Sequence, residues 1–460
     1  MLLPGTVSPL EGQDPSLPDS LEILPDSVRE VFADSTPARA QRFPARLLAL
    51  RGAGHEVFEC DRQCVHASTA FSLIELLAEF VPGLTTVRAG FFAGPHHDYD
   101  GAFGPGFGGL YIDGREILSL ERAQTDLRRL SLNYVERVRV FRGADGFLID
   151  VDLMRHDASR AYSRIGGGTG DPRTQLLDGV FANGLGRTFN FEGAFELLDV
   201  KARNDQNNRL GALGRLSWMP KSNDFGIQME FRRENVDRLA ADTADVRRNE
   251  FVVRARANLG ERAQFEAFGT TSDYRLVIPG LPDSVPAPRR SADGVGLRFS
   301  ALPGRGAVTA AARFAGGDAY PSIVTELSAW YPVGPFWLEG GAERASWNEF
   351  STRTLRGAVA YTDTLLVPFT LRGFAAGGDR GVGLPLAASA DSVGFDSFGA
   401  SAKIRLGPFD LAGRVSGQRL DRQLLFGGFD QGVQVDSSEV DLTSLEVRFE
   451  GPVIPLGALL

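Results

Sequence analysis

The stretch Gly90–Gly109 (GFFAGPHHDYDGAFGPGFGG) gathers the residues best suited to ligand chemistry: His96, His97, Asp98, Tyr99 and Asp100, set among Phe91, Phe92, Phe103 and Phe107. Imidazole and carboxylate together suit a transition metal or its chelate, and aromatic rings suit an organic scaffold. The competing reading is a solvated Gly-Pro loop with incidental histidines. Adjacent histidines in an extended chain point to opposite sides, so one metal rarely takes both. The chain carries no G-x-S-x-G, H-E-x-x-H or P-loop, which leaves an enzyme reading with little support. Gly104–Gly109 (GPGFGG) lacks the long helix and downstream acid of a dinucleotide fingerprint. Asp150 and Asp152 share one strand face without a cleft, which reads as surface charge. Cys60 and Cys64, in ECDRQC, are spaced for a small disulfide loop, while free thiols stay open. A zinc site would have only His55 and His66 nearby. No catalytic residue, resident metal or cofactor is expected.

Strands are the elements that must position such a loop. From about residue 174, segments of roughly ten residues alternate between apolar and polar. In Thr188–Asp199 one face is Phe189, Phe191, Gly193, Phe195 and Leu197, the other Thr188, Asn190, Glu192, Ala194 and Glu196. In Phe225–Glu234, Phe225, Ile227, Met229 and Phe231 oppose Gly226, Gln228, Glu230 and Arg232. Phe251–Leu259, Phe398–Leu406 and Phe409–Gln418 repeat the pattern. A soluble sandwich would bury the apolar faces, whereas a membrane barrel would turn them to lipid and enclose the charged ones. Three details favour the barrel. The apolar faces mix Phe and Leu with many Gly and Ala, the polar faces carry several charges per strand, and the turns alternate in length. Short turns are expected at Asn183-Gly184, Asn258–Ala263, Leu302–Ala307, Tyr331–Phe336 and Leu406–Phe409. Long polar loops are expected at Lys201–Asn208, Asn235–Arg247, Tyr274–Arg290, Gly377–Asp391 and Leu420–Ser438.

Composition agrees. The 460 residues hold 49 Lys+Arg against 58 Asp+Glu, a net charge of −9, which argues against nucleic acid as the main partner. The 54 glycines and 32 phenylalanines suit a β-rich chain. No apolar run approaches the ~18 residues of a membrane helix. Residues 1–45 are rich in Pro, Ser and Asp and read as an extended lead segment. The start lacks a charged and an apolar signal region, so a leader has been removed, the start lies upstream, or there is none. Ser68–Phe80 has helical spacing, with a cap at Ser68 or Thr69 and a stop at Pro82-Gly83. About fifteen strands are expected between residues 174 and 451, and Val453–Leu460 looks like the beginning of another, so the sheet is expected to be truncated at the C-terminus.

Four features of residues 68–165 follow one another. Leu73–Gly83 (LIELLAEFVPG) is a leucine-rich helix ending in Pro-Gly; the glycine-rich stretch comes next; then Tyr111-Ile112-Asp113-Gly114-Arg115; then Val135–Gly143 (VERVRVFRG). In that order they resemble the plug domain of TonB-dependent outer-membrane receptors, whose motifs run "v-x-i-D-G-x" and "I-E-R-I-E-V-x-R-G". Arg139 departs from the second acidic residue of that pattern, and Ala144-Asp145-Gly146-Phe147 stands where the family shows Pro and a Tyr-Gly pair. Leu148–Leu153 matches the following strand loosely, and residues 1–45 contain no clear TonB box.

The resemblance implies a mainly β protein, a transmembrane antiparallel β-barrel with an N-terminal α+β plug domain. Residues 1–45 would be an extended periplasmic lead segment, 46–165 the plug, and 166–460 a barrel of fifteen to sixteen strands. It further implies a monomer among outer-membrane lipid in a Gram-negative-type bacterium, the TonB-ExbB-ExbD energy-coupling complex as partner, and no enzyme. The function implied is reception of a scarce solute, a siderophore-type metal chelate or another small organic molecule. His96, His97, Asp98, Tyr99, Asp100, Phe103 and Phe107 would then face the outside and touch the ligand. In the VERVRVFRG strand, Glu136, Arg137, Arg139 and Arg142 are too charged for an unpaired interior. Inside a barrel they are expected to meet lumen charges such as Glu192, Glu196, Glu230 and Glu266, some as bidentate Arg–carboxylate pairs. Two other functions compete: a plugged barrel with a structural or assembly role and no energy coupling, and a secreted β-rich hydrolase.

Overall fold

The computed structural model describes residues 43, 44, 46, 56–70, 72–81, 107–117, 127, 130–143, 146–155, 161–170 and, with short breaks at connections, most of 174–450. The loop residues His96, His97, Asp98, Tyr99, Asp100 and Phe103 lie outside the described residues, as does the Pro82-Gly83 stop. Phe107 is the first residue of a strand.

One sheet of sixteen strands runs from Tyr162–Gly170 to Val440–Glu450, each strand antiparallel to its neighbour in sequence. A separate hairpin, Gln423–Phe426 with Val433–Asp436, stands within the last long connection. Among the described residues no ladder joins the first strand to the last. Period two decides which way each side chain faces. Phe231 is 46% exposed while its neighbour Arg232 is 3% exposed. Phe189, Phe195, Phe251, Phe265, Phe299 and Phe398 are likewise exposed, and Glu192, Glu196, Glu230, Arg254 and Glu266 are buried. The rings therefore lie on the outside of the sheet and are not sealed between two layers, so the sandwich alternative fails.

The hairpins differ in detail from expectation. The strand Thr174–Leu185 runs through Asn183-Gly184, with Gly184 paired to Asn190 and Leu185 to Phe189. The apolar phase of Phe181 and Leu185 overrides the local Asn-Gly turn preference. On the opposite rim the strands also run further than their polar composition predicts. Phe369–Leu384 and Ser389–Leu406 take up most of the expected loop Gly377–Asp391, because residues 379–384 and 389–394 go on pairing with each other as a hairpin beyond the ladders to their outer neighbours. The two-residue turns behave as read: Gly334 and Gly407 adopt φ +61° and +64°, each followed by a proline.

The sheet wraps a small α+β domain. In chain order this domain holds β1 (Glu56–Cys60), α1 (Arg62–Ala67), α2 (Leu73–Phe80), β2 (Phe107–Ile112), β3 (Arg115–Glu116), β4 (Val135–Gly143) and β5 (Gly146–Leu153). The strand order is β1-β4-β5-β2-β3, with β2 parallel to β5. Its core packs Leu73, Leu76 and Leu77 of α2 against Leu110, Ile112, Val138, Val140, Ile149 and Val151. The helix expected over Ser68–Phe80 starts later, at Leu73, and Ser68 instead donates its hydroxyl to Glu79 at 2.6 Å. Helix α1 lacks an amphipathic run in the sequence; Asp61 caps it by accepting from the Cys64 N–H at 3.0 Å, and a disulfide joins Cys60 to Cys64.

Candidate functional site

The interface between the small domain and the barrel wall is built around Asp113. The Asp113-Gly114 turn links β2 to β3 with φ +49° and +82°, the left-handed pair of a type I′ hairpin. That backbone angle favours glycine at 114, and a Cβ there would push aside the guanidinium ends of Arg46 and Arg298, at 2.5 and 2.7 Å. The turn aims Asp113 at the inner wall. Its carboxylate accepts from Arg215 at 2.8 Å and from the Leu153 N–H at 3.2 Å, with Arg155 at 3.4 Å and Arg254 at 3.7 Å. Burial pushes the Asp113 carboxyl up, but Arg215, Arg155, Arg254 and the Leu153 N–H outweigh it and hold it below the usual carboxylate range.

Arg215, 1% exposed, stands at the centre of this lattice. Besides Asp113 it bonds Glu230 at 2.8 Å, Glu192 at 3.2 Å and the Met154 carbonyl at 3.1 Å. Higher on the wall, Arg115 bonds Glu250 at 2.9 Å, and Glu250 also takes Arg232 and the Ser272 hydroxyl. Glu116 pairs with Arg313. Ser131 donates to Glu196, which also takes Arg209, and the Asn133 amide donates to the carbonyls of Gly179 and Phe195 at 3.2 and 3.1 Å. The segment before β1 is held too. Phe43 lies under Arg256 at 5.2 Å, Arg256 donates to the Pro44 carbonyl at 2.7 Å, and Arg46 bonds Asp150 at 2.9 Å.

The structure distributes the β4 charges differently from the sequence expectation. Arg142 does reach the wall, but at Glu446 (2.5 Å). Arg139 stays inside the small domain, bonding Asp150 at 2.9 Å and Asp152 at 2.6 Å. Arg137 pairs with Glu59 at 3.3 Å and Glu136 with Arg62 at 3.6 Å, both partly exposed. The reason is position. β4 lies between β1 and β5, so the cross-strand neighbours Glu59 and Asp150 are nearer than any wall residue. Asp150, read as surface charge, is therefore buried, and burial raises the Asp152 carboxyl despite Arg46 and Arg139. Glu192 and Glu230 meet the small domain through Arg215, Glu196 meets it at Ser131, and Glu266 is occupied by Arg254 and Arg256 at 3.0 and 3.2 Å. Asp113, Arg115, Glu116, Ser131 and Asn133 are among the contacts that charge counting missed; the D-G turn motif was a sequence signal for those on its hairpin and gave none for Ser131 or Asn133.

A buried ion pair adds little net stability, but removing one partner costs ~3–5 kcal/mol. Displacing the small domain would strip several such groups at once. The arrangement thus ties the small domain to the wall at several buried points.

No protein-family model matches the sequence, and no curated protein matches it. Solved structures do resemble it. A ferric enterobactin receptor (PfeA) variant of Pseudomonas aeruginosa is 10% identical, with a TM-score of 0.66 over 89% of this chain and 80% of that one. The FrpB iron transporter of Neisseria meningitidis is 11% identical, with a TM-score of 0.65 over 87% and 78%. The alcaligin outer-membrane receptor FauA of Bordetella pertussis is 11% identical, with a TM-score of 0.58 over 91% and 81%. The chain shares with them a small mixed domain seated within an antiparallel barrel wall, the plug-and-barrel fold of TonB-dependent receptors.

Proposed function

We propose, from the plug-and-barrel fold, that this chain is an outer-membrane receptor that binds a scarce solute and passes it inward when the plug is remodelled. The solute is a metal chelate of siderophore type or a similar small organic molecule. The plug runs from residue 46 to just before Tyr162, where the first strand of the wall begins, and residues 1–45 lead in from the periplasm. The single observation that carries the reading is the buried lattice around Arg215 and Asp113, which ties the plug to the wall so that moving it must break several ion pairs, which takes energy. A TonB-ExbB-ExbD complex pulling on the N-terminal segment would supply that energy.

The outer surface supports the membrane setting. Along the rim that carries the short turns, outward rings stand in pairs: Trp218 with Phe225 at 6.2 Å, Phe336 with Tyr361 at 5.2 Å, Tyr361 with Phe369 at 5.6 Å, and Phe409 with Phe449 at 5.3 Å. Such a girdle marks the boundary between hydrocarbon and water. In this reading the monomer sits in lipid, and His96, His97, Asp98, Tyr99, Asp100, Phe103 and Phe107 meet the ligand from outside.

Uptake of radioactive iron presented as several chelates tests the proposal, comparing cells that carry the chain, cells that lack it, and cells with the chain but no TonB. Chain-dependent and TonB-dependent uptake of one chelate is expected. Uptake that depends on the chain but not on TonB would refute energy coupling, and normal membrane assembly defects without any uptake loss would favour the structural role.

A further inference from the structure

Helix α1 meets the first strand of the wall, Tyr162–Gly170, through two of its side chains. Arg62 donates to the Tyr162 hydroxyl at 3.4 Å and lies 3.6 Å from the Met154 sulfur, with Glu136 of β4 also at 3.6 Å. His66, in the last turn of the helix, stands between two guanidiniums. Arg164 of the wall strand places Nη1 3.0 Å from its Nε2 and 3.3 Å from its Nδ1, and Arg62 places Nε 3.4 Å from the same Nε2. Arg164 also donates to the Asn133 carbonyl at 3.1 Å and to the Asn133 side-chain oxygen. One wall arginine thus holds the end of α1 and the Leu132–Tyr134 turn together.

A neutral imidazole accepts at one ring nitrogen, and an imidazolium at neither. The guanidinium contacts of His66 therefore need the neutral ring. Protonation would set a third cation between Arg62 and Arg164, and like charges at that distance disfavour one another. Asp178, on the neighbouring wall strand Thr174–Leu185, is the carboxylate that acts on His66 in the opposite sense. Glu136 is paired with Arg62 and Glu59 with Arg137, Glu79 of α2 takes the Ser68 and Thr69 hydroxyls, and Asp61 caps the far end of the helix. Partial burial, Arg164 and Arg62 hold the imidazole below its ordinary value against the pull of Asp178. The seated helix thus disfavours the proton, so the contact is complete above about pH 6.5 and weakens as pH falls below it.

We propose that His66 is an acid-sensitive latch: neutral, it fastens α1 to the first wall strand, and protonated, it lets the helix go. Cys64 stays tied to Cys60 by the disulfide and β1 stays paired with β4, so release frees the helix without unfolding the small domain. Asn133 keeps its own bonds to the Gly179 and Phe195 carbonyls, so the neighbouring turn stays on the wall. The latch needs no solute: its pH response can fail while uptake persists, and the reverse.

Hydrogen exchange of the whole protein in detergent, read by mass spectrometry and expressed relative to the intrinsic rate at each pH, tests it. The amides of Cys64, Val65 and Ser68 bond within α1 and its caps and report the helix. Their protection should fall about three- to thirtyfold from pH 7.5 to 5, the upper bound being one proton taken up by a freed histidine of ordinary pKa. Residues 110–117, in the β2–β3 hairpin, should keep their protection over the same range. His66→Gln retains an acceptor without a titrating group and should give a flat profile. His66→Lys carries the charge at every pH and should show at pH 7.5 the low protection that wild type reaches at pH 5. A pH response in His66→Gln equal to that of wild type, or wild-type protection in His66→Lys at pH 7.5, overturns the latch. So does a loss at residues 110–117 as large as that in α1, which would be general acid unfolding. His66 is exposed, and gel mobility of unboiled samples checks that the variants fold. If His66→Lys does not fold, His66→Gln decides alone: a flat profile supports the latch and a wild-type profile overturns it.

Discussion

The bond between Asp113 and Arg215 should be an energetic coupling between plug and wall that can be measured directly. Asp113→Asn keeps the size of the side chain and an acceptor for the Leu153 N–H, but removes the charge that faces Arg215 at 2.8 Å. Both groups are buried, so screening by solvent is slight. Uncovering one member of such a pair costs ~3–5 kcal/mol. A loss of ~3 kcal/mol shifts the plug-release equilibrium about 150-fold. Arg215→Gln strips the same cation from Glu230 and Glu192 as well and should cost at least as much. The double variant should fall short of the sum by ~1.5–3 kcal/mol, the worth of a charged hydrogen bond. Limited trypsin digestion across a urea series reads plug release, and mobility on unboiled gels reads whether the barrel stays folded. The carboxyl of Asp113 is held below its ordinary value, so its contribution is complete above pH ~3.9 and is lost only as pH falls through the lower folded value. The gap between wild type and Asp113→Asn should therefore stay level from pH 7 to about 4. Additive single and double variants within ~0.5 kcal/mol, or a gap that closes by about pH 5, would refute the lock.

Other outcomes follow from neighbouring contacts. Gly226→Val should evict Phe43 from the wall, since a Cβ at Gly226 would meet its ring at 2.7 Å; trypsin should then cut near Arg46 at lower urea while the barrel keeps its gel mobility. Asp152 has its carboxyl raised by burial, so its ionised form is a cost that appears as pH rises through the folded value. Asp152→Asn should thus hold the plug at least as well as wild type at pH 7, with the difference shrinking below about pH 4, whereas a clear loss at pH 7 would contradict the assignment. Replacing Cys60 and Cys64 by serine opens a five-residue loop, for which the chain-entropy estimate is ~2 kcal/mol of plug stability, measurable in the same urea series. Deleting residues 90–106 should weaken ligand binding and leave the barrel folded; binding that survives unchanged would remove the loop from the proposed ligand site.

The wall was legible because its signal is local. Backbone pleat alone sends Phe231 and Arg232 to opposite faces, so alternation told which face was charged before any partner was known. The Asp113-Gly114 turn and the Val135–Gly143 strand were likewise readable from a few adjacent residues. Helix α1 was not, because its six residues are too short to display a period and depend on Asp61 and the disulfide.

The pairing of charges was another matter. Arg139 and Arg142 lie three residues apart on one strand, yet one closes within the plug and the other reaches Glu446, 304 residues away. Their types are the same, and the pleat says only that they point to opposite faces, not which carboxylate each one meets. The sequence by itself determined that a charged inner face and a charged plug would meet. Only the seating of one inside the other decided which arginine found which carboxylate, because ion-pair choice depends on distances that the chain sets through its whole path.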